Sequence, residues 1–226
     1  MVRVTRKHLM TGKAFVRQSW KDNMGQYCRT DIINQMIKKF EYKTYLEIGV
    51  RKAHQNHDQI ICEDKEGVDP APQSPIKHPV TSDVFFETNK KFYDVIFIDG
   101  DHRANQVDKD IINSLKFLKE NGTILLHDCS PLKFEHQVEK YDPQACGIWN
   151  GSVWKSLVKV RATMDDVYVS VVDTDHGVGI IRRGSGQELF KNYSNIEEIY
   201  EFPFLEKNRK ELLHLIPVDE FKRIYA

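Results

Sequence analysis

Short apolar runs alternate along this chain with segments whose apolar residues recur at helical spacing. Thr44-Tyr45-Leu46-Glu47-Ile48, Val95-Ile96-Phe97-Ile98 and Thr123-Ile124-Leu125-Leu126 are runs of the first kind. Unbroken, β-branched and aromatic stretches suit strands covered on both faces of a parallel sheet. Ile32, Ile33, Met36, Ile37 and Phe40, behind Thr30-Asp31, predict a capped helix with one face on that sheet. Val50 to Ile61 is expected as a helix with Ile60 and Ile61 inward and with His54 and His57 on its exposed surface. Glu66 to Pro70 reads as a short strand. Pro79 to Asp83 reads as a brief third strand and N-cap, and Val84 to Lys91 as a helix anchored by Phe85, Phe86 and Phe92. Ala104 to Glu120 carries Val107, Ile111, Ile112, Leu115 and Leu118 on one face, with Asn121-Gly122 as a left-handed cap. Val153 to Arg161 returns to helix. Val167 to Val172 and Val178 to Ile181, on either side of Asp173-Thr174-Asp175-His176-Gly177, predict a hairpin.

This alternation makes an α/β fold: a Rossmann-like, mostly parallel sheet with a reversed strand in a C-terminal hairpin. Residues 30–183 form that domain. Residues 1–29 show no clear period and are expected as an arm or lid. Residues 184–226 carry helical patterns at Asn195 to Tyr200 and Phe204 to Leu215, expected to dock on the domain or on a second copy in a homodimer. Pro70, Pro72, Pro75 and Pro79 rule out a regular helix in the second crossover. Ser130 to Gly151, with Pro131, Pro143 and Gly147, is a long irregular insertion of the kind that serves a site. Within it, Tyr141 and Trp149 either line a substrate pocket or, for Trp149, fasten the loop to the core.

Composition narrows the partners. Lys plus Arg and Asp plus Glu balance at 33 each over 226 residues, so no global field favours nucleic acid or an anionic membrane. A neutral small-molecule or glycan partner is compatible with that balance. Cys28, Cys62, Cys129 and Cys146 include no Cys-x-x-Cys pair, which argues against a zinc knuckle or a disulfide scaffold and fits reduced, cytoplasmic thiols. The basic N-terminus is followed by no apolar leader, and no run is long enough to span a bilayer.

The candidate chemistry collects at strand ends, where open α/β sheets bind ligands. Asp99-Gly100-Asp101-His102 follows the Val95–Ile98 run, bringing two carboxylates and an imidazole together; an Asp-Gly turn with solvated charges is the plainer alternative. Glu47 lies two residues before Gly49, which permits close approach of a ligand to the backbone, although an acid there can also be a turn residue. Asp69 ends the next strand about twenty residues on, the place of an acid that accepts hydrogen bonds from ribose hydroxyls. Ser82 and Asp83 sit at a strand-to-helix junction, beside an adenine or simply as caps. His127-Asp128-Cys129 brings a further acid to the same edge.

Leu46-Glu47-Ile48-Gly49, Gly67-Val68-Asp69, Phe97-Ile98-Asp99-Gly100-Asp101-His102 and Gly122 to Asp128 follow the order and spacing of the class I S-adenosylmethionine-dependent methyltransferases. The chain resembles most the branch of small-molecule and sugar O-methyltransferases found with surface-glycan genes. The resemblance covers roughly 45–183. It implies that Glu47 and Gly49 flank the methionine part of S-adenosylmethionine, with Asp99 and Gly100 on the cofactor side. It further implies that Asp69 binds the ribose and that Ser82 and Asp83 lie beside the adenine. In metal-dependent relatives, acids matching Asp99 and Asp128 bind a divalent ion such as Mg²⁺. A base follows three residues after the first acid, where this chain has His102, so His102 and Asp128 are the implied catalytic pair. The chain departs from the pattern at Val50-Arg51-Lys52-Ala53, where the family is glycine-rich, and at Cys129, where an amide often stands.

The chemistry is coherent, since in-line methyl transfer to a hydroxyl needs a held nucleophile and a group to take its proton, which an imidazole does near neutral pH. Two other classes remain open on sequence. A methyltransferase-like binding or assembly module would bind cofactor without turnover. A nicotinamide-dependent oxidoreductase would use Asp69 on a dinucleotide ribose but normally carries a fuller glycine-rich turn.

Overall fold

The apolar runs become strands because each can bury both of its faces. The computed structural model describes residues 27–142, 147–184 and 197–226. Within them β1 (Thr44–Ile48), β2 (Asp64–Val68), β3 (Tyr93–Ile98), β4 (Leu118–Leu126), β5 (Val167–Val172), β6 (Val178–Arg183) and β7 (Leu215–Ile216) form one sheet. Its order is β2-β1-β3-β4-β6-β5-β7. Strands β1 to β4 pair in parallel, and β6 is antiparallel to both β4 and β5. Successive side chains sort to opposite faces: Leu46, Ile48, Ile96, Ile98, Ile124 and Leu126 join one cluster, while Tyr45, Val95, Phe97 and Leu125 join the other.

Helices cover both faces. Ile32, Ile33, Met36 and Ile37 of α1 (Arg29–Phe40) pack beneath the second cluster. The first is covered by α2 (Ser82–Thr88), α3 (Ala104–Phe117), α4 (Val153–Thr163) and α5 (Phe202–Leu212), through residues such as Phe85, Ile111, Trp154 and Leu205. Phe221 of α6 (Val218–Ile224) returns to the α1 side. The described part of the tail thus contributes a strand, β7 paired in parallel with β5, as well as helices. No helix among the described residues is long and apolar enough to cross a membrane.

Several expectations are corrected. Val50 to Ile61 forms two 3₁₀ turns, Ala53–Gln55 and His57–Gln59, in place of a helix, because Asn56 and His57 turn back to hydrogen-bond with Glu47. Ile60 is 3% exposed while Ile61 is 76% exposed, so only one of this adjacent pair faces the core. Pro79 to Asp83 forms no strand; a single bridge joins Val68 to His78, and Thr81 caps α2 by accepting the Val84 N–H. The Ser82–Thr88 helix starts and ends earlier than expected, leaving Phe92 exposed. The cap of α1 also lies earlier: Cys28 is the N-cap residue, and its N–H donates to Asp31 Oδ2 at 2.9 Å.

The α3 helix ends at Phe117, and Leu118 to Glu120 already belong to β4, with Leu118 paired to Tyr93. Ile112 of α3 is exposed. Gly122 does not adopt a left-handed cap. It is needed because a β-carbon there would stand 2.8 Å from the Asp94 carbonyl oxygen. Residues 1–26 of the expected arm, Pro143 and Cys146 of the insertion, and residues 195–196 of the first tail helix lie outside the described residues. Cys28, Cys62 and Cys129 are free thiols.

Candidate active site

Three parallel strands deliver their ends to one cavity of about 870 Å³. From β1 come Glu47 and Gly49, from β2 Asp69, from the α2 junction Ser82 and Asp83, and from β3 Asp99, Gly100, Asp101 and His102. Of the candidate site residues singled out in the sequence, all but Asp128 therefore line this cavity. Trp149 and Tyr141 of the long insertion line it too. Gly49 has φ +95, and a β-carbon there would lie 2.1 Å from the Asp99 carbonyl oxygen. Only glycine lets the ends of β1 and β3 approach this closely.

Glu47 is buried, and its Oε2 is held from three sides. Tyr45 Oη donates at 2.7 Å, Asn56 Nδ2 donates at 3.1 Å, and His57 Nδ1 lies at 3.2 Å. Among the described hydrogen bonds Oε1 takes none, so one carboxylate oxygen of this cavity-lining residue is anchored and the other keeps its acceptor capacity. His57, expected on an exposed surface, is in fact part of this anchor; His54 is exposed. Asp69 is positioned by its backbone, which bonds to His78, and its Oδ1 accepts the Ala71 N–H at 2.7 Å.

Beside this wall three acids and two imidazoles converge. His102 Nε2 is 3.5 Å from Asp99 Oδ1, and its Nδ1 is 3.4 Å from Asp128 Oδ2 and 3.3 Å from the Trp149 carbonyl oxygen. A carbonyl and a carboxylate only accept, so both nitrogens face acceptors and the surroundings favour the protonated ring. Trp149 stacks on the His102 ring at 4.8 Å, and its indole N–H donates to the Val138 carbonyl at 2.6 Å. Trp149 therefore both lines the cavity and fastens the insertion. Asp128 is buried with φ +60 and stands behind His102, outside the cavity lining; Asn150 Nδ2 donates to its Oδ1.

His127 Nδ1 lies 3.0 Å from Asp128 Oδ2 and 3.3 Å from Asp99 Oδ1. Its Nε2 lies 2.8 Å from Arg29 Nη1, which also donates to Asp175 at 3.2 Å. Arg29 further places Nε 4.0 Å from Asp99 Oδ2, and its backbone N–H donates to Asp175 Oδ2 at 2.9 Å.

Burial opposes charge throughout this cluster, and close partners reverse the outcome. Burial would raise Asp99, but His127, His102 and Arg29 hold it well below the usual carboxylate range. Asp128 and Asp175 are likewise held low against burial, each chiefly by His127. Burial would lower His127, as Arg29 does, yet Asp128 and Asp99 keep it well above the usual histidine value. His102 is raised in the same way, by Asp99 and Asp128 against burial. Cys129, by contrast, is pushed up by burial and is an inert thiol.

Arg29, His57, His127, Asn150 and Asp175 were not singled out from the sequence. His127 adjoins a candidate acid and was the most accessible of them to sequence reasoning. Asp175 read only as part of a hairpin turn, and Arg29 only as the end of an arm.

Residues 26–129 match the family model of a methyltransferase domain. No curated protein matches. Among solved structures, a Klebsiella pneumoniae protein provisionally described as an O-methyltransferase has a TM-score of 0.51 at 11% identity, over 78% of this chain and 93% of its own. An O-methyltransferase from Bacillus cereus in complex with SAH has a TM-score of 0.49 at 12% identity, over 77% and 93%. TomG, an O-methyltransferase from Streptomyces achromogenes involved in tomaymycin synthesis and solved in complex with SAM, has a TM-score of 0.49 at 9% identity, over 80% and 92%.

The sheet order with its reversed β6 is the class I methyltransferase fold. Fold and family match agree: residues 26–129 match a methyltransferase domain, and the sheet that carries them has the class I methyltransferase order.

Proposed function

We propose that the protein methylates a hydroxyl of a small-molecule acceptor, a sugar or glycan among the candidates, with His102 as general base. The observation that carries this reading is the shared cavity: Glu47, Asp69, Asp99 and His102 line it together, and His102 is backed by Asp128. S-adenosylmethionine, when bound, supplies a methyl group made electrophilic by its sulfonium. The residues present fit it. Glu47 offers a free, buried carboxylate oxygen, Asp69 offers acceptors for vicinal hydroxyls, and Gly49 and Gly100 leave the floor without side chains. His102 receives the acceptor's proton at Nε2, and Asp128 holds the ring and stabilises the imidazolium that forms. Trp149, stacked on the imidazole, shields it from water and fixes its plane.

A divalent ion such as Mg²⁺ also fits. Asp99, His102 and Asp128 each offer a ligand atom within 4.8 Å of the others, and two of the three are carboxylates suited to a hard cation. Three acids, the buried Asp128 and the partly buried Asp99 and Asp175, face one guanidinium, Arg29, leaving two negative charges for two imidazoliums or one divalent ion to neutralise. Held by Asp99 and Asp128, the ion would orient a hydroxyl and lower its pKa.

Calorimetry with S-adenosylhomocysteine, followed by methyl-transfer assays on a panel of hydroxylated acceptors, tests the reading. Cofactor binding and transfer that His102→Ala abolishes are expected. Binding without turnover on any acceptor would favour a non-catalytic module instead.

A further inference from the structure

The long insertion ends in Trp149, Asn150, Gly151 and Ser152, just ahead of α4, and its main chain is pinned to the site. Asn150 and Gly151 donate their backbone N–H groups to the His136 carbonyl at 2.8 and 3.1 Å, and Ser152 donates its own to the His102 carbonyl at 2.8 Å. Ser152 Oγ accepts the Ala104 N–H at 2.8 Å, at the start of α3. Gly151 has φ +60, and a β-carbon there would stand 2.2 Å from the His102 carbonyl oxygen. The stretch therefore has one path past His102, and that path sets where the Asn150 side chain begins.

Asn150 is 0% exposed. Its Nδ2 donates to Asp128 Oδ1, while its own Oδ1 has no partner among the described residues. The opposite orientation would set a carbonyl oxygen against a carboxylate, so the NH₂ end is the one that faces Asp128. A buried amide with one end unsatisfied carries a desolvation cost that an apolar side chain would not. What the position gains in return is the bond to Asp128. That acid has φ +60, off the extended line of β4, and the torsion that turns a carboxylate is broad and roughly two-fold. With Oδ1 tied to Asn150, Oδ2 is left toward the imidazoles, 3.4 Å from His102 Nδ1 and 3.0 Å from His127 Nδ1.

We propose that Asn150 is a positioning residue for the transfer reaction: its Nδ2 fixes the plane of the Asp128 carboxylate, and Asp128 in turn aims the His102 ring. The inference rests on the reading of His102 as general base given above. Trp149 serves the same imidazole from the neighbouring position, through its stacked ring and its carbonyl. The end of the insertion is thus the support of the base as well as a wall of the cavity. Small tilts matter here, since misplacing a reacting group by about 1 Å costs on the order of 10²-fold in rate.

The test pairs calorimetry for S-adenosylhomocysteine with transfer assays on the panel of hydroxylated acceptors, using the full chain. Asn150→Leu keeps the volume and loses the donor. It should bind S-adenosylhomocysteine as the parent does, while kcat falls roughly 10²-fold; a space-filling role predicts an unchanged kcat. In an Asp128→Ala background the same substitution should cost little further, because residues that act through one hydrogen bond are not additive. An unchanged kcat in a folded Asn150→Leu protein, or the same loss with and without Asp128, would overturn the proposal. If that variant does not fold, nuclear magnetic resonance on the ¹⁵N-labelled parent decides: one asparagine side-chain amide pair should be protected from hydrogen exchange and should shift in Asp128→Asn. Absence of such a pair would overturn the proposal too. A parent that binds S-adenosylhomocysteine but turns over no acceptor would instead overturn the transfer reading itself.

Discussion

The imidazole of His102 bridges two acids that end neighbouring strands, with Nδ1 3.4 Å from Asp128 Oδ2 and Nε2 3.5 Å from Asp99 Oδ1. Both nitrogens are thereby oriented by carboxylates, and the ring takes a proton only in its neutral form. His102→Ala should lower kcat by roughly 10²- to 10⁴-fold, the usual worth of a positioned base, while S-adenosylhomocysteine binds as in the parent. Equal turnover in variant and parent would remove the assigned role.

The raised pKa of His102 fixes the sign of the pH dependence. Only the neutral ring accepts a proton, so kcat should climb as pH rises through the raised value and level off above it. Stability should run the other way: the contribution of the charged ring is complete below about 6.5, its unfolded value, and is lost as pH rises through the folded one. A pH–rate profile set beside denaturation midpoints over the same range checks both directions.

Asp69 sits at the end of β2 with its backbone locked to His78. Asp69→Ala should weaken S-adenosylhomocysteine by about 1–3 kcal/mol, the cost of leaving donors of a bound ligand unpaired. Calorimetry measures it, and an unchanged affinity would place the ribose elsewhere.

Gly49 cannot be replaced quietly. Gly49→Ala must hold a non-glycine residue at φ +95 with its β-carbon 2.1 Å from a main-chain oxygen. The backbone strain alone is worth roughly 1–3 kcal/mol, and the clash adds to it. Urea denaturation should show a lower midpoint, with cofactor affinity falling as β1 and β3 separate.

Glu66 of β2 anchors the segment that precedes α2. It accepts from Lys77 Nζ at 2.6 Å and Lys91 Nζ at 2.8 Å, with His78 Nε2 at 2.7 Å and Tyr93 Oη at 3.2 Å. Burial opposes its charge, yet bonds from Lys77, Lys91 and His78 bring its pKa down to about 2. Its contribution is therefore present above about 4.3, its unfolded value, and fades as pH falls toward 2. The stability gap between the parent and Glu66→Gln should be widest near neutrality and should close on acidification.

The divalent-ion site has its own readout. Titration with Mn²⁺, followed by electron paramagnetic resonance, should show one bound ion, lost in Asp99→Asn and in Asp128→Asn. Absence of bound Mn²⁺ in the parent, with turnover unaffected by chelator, would leave the imidazoles and Arg29 as the only neutralising groups.

Much of the architecture could be read without coordinates. The runs around Leu46, Ile96 and Leu125 are apolar without interruption because both faces of those strands are covered, and that alone implies a parallel sheet under helices. Readings failed where side-chain contacts overrode local pattern. Asn56 and His57 turned a helical stretch toward Glu47, and Leu118 was drawn from helical spacing into pairing with Tyr93.

The existence of most strands and the acids at their ends were determined by the sequence itself, because burial on two faces and polarity at a strand's end are local properties of the chain. Glu47, Asp69, Asp99, His102 and Asp128 were legible for that reason. Arg29, Asp175 and Asn150 were not. Arg29 meets Asp175 across 146 positions, and Asn150 meets Asp128 across 22. The role of each is set by the charge that folding places opposite it, which only the tertiary structure decides.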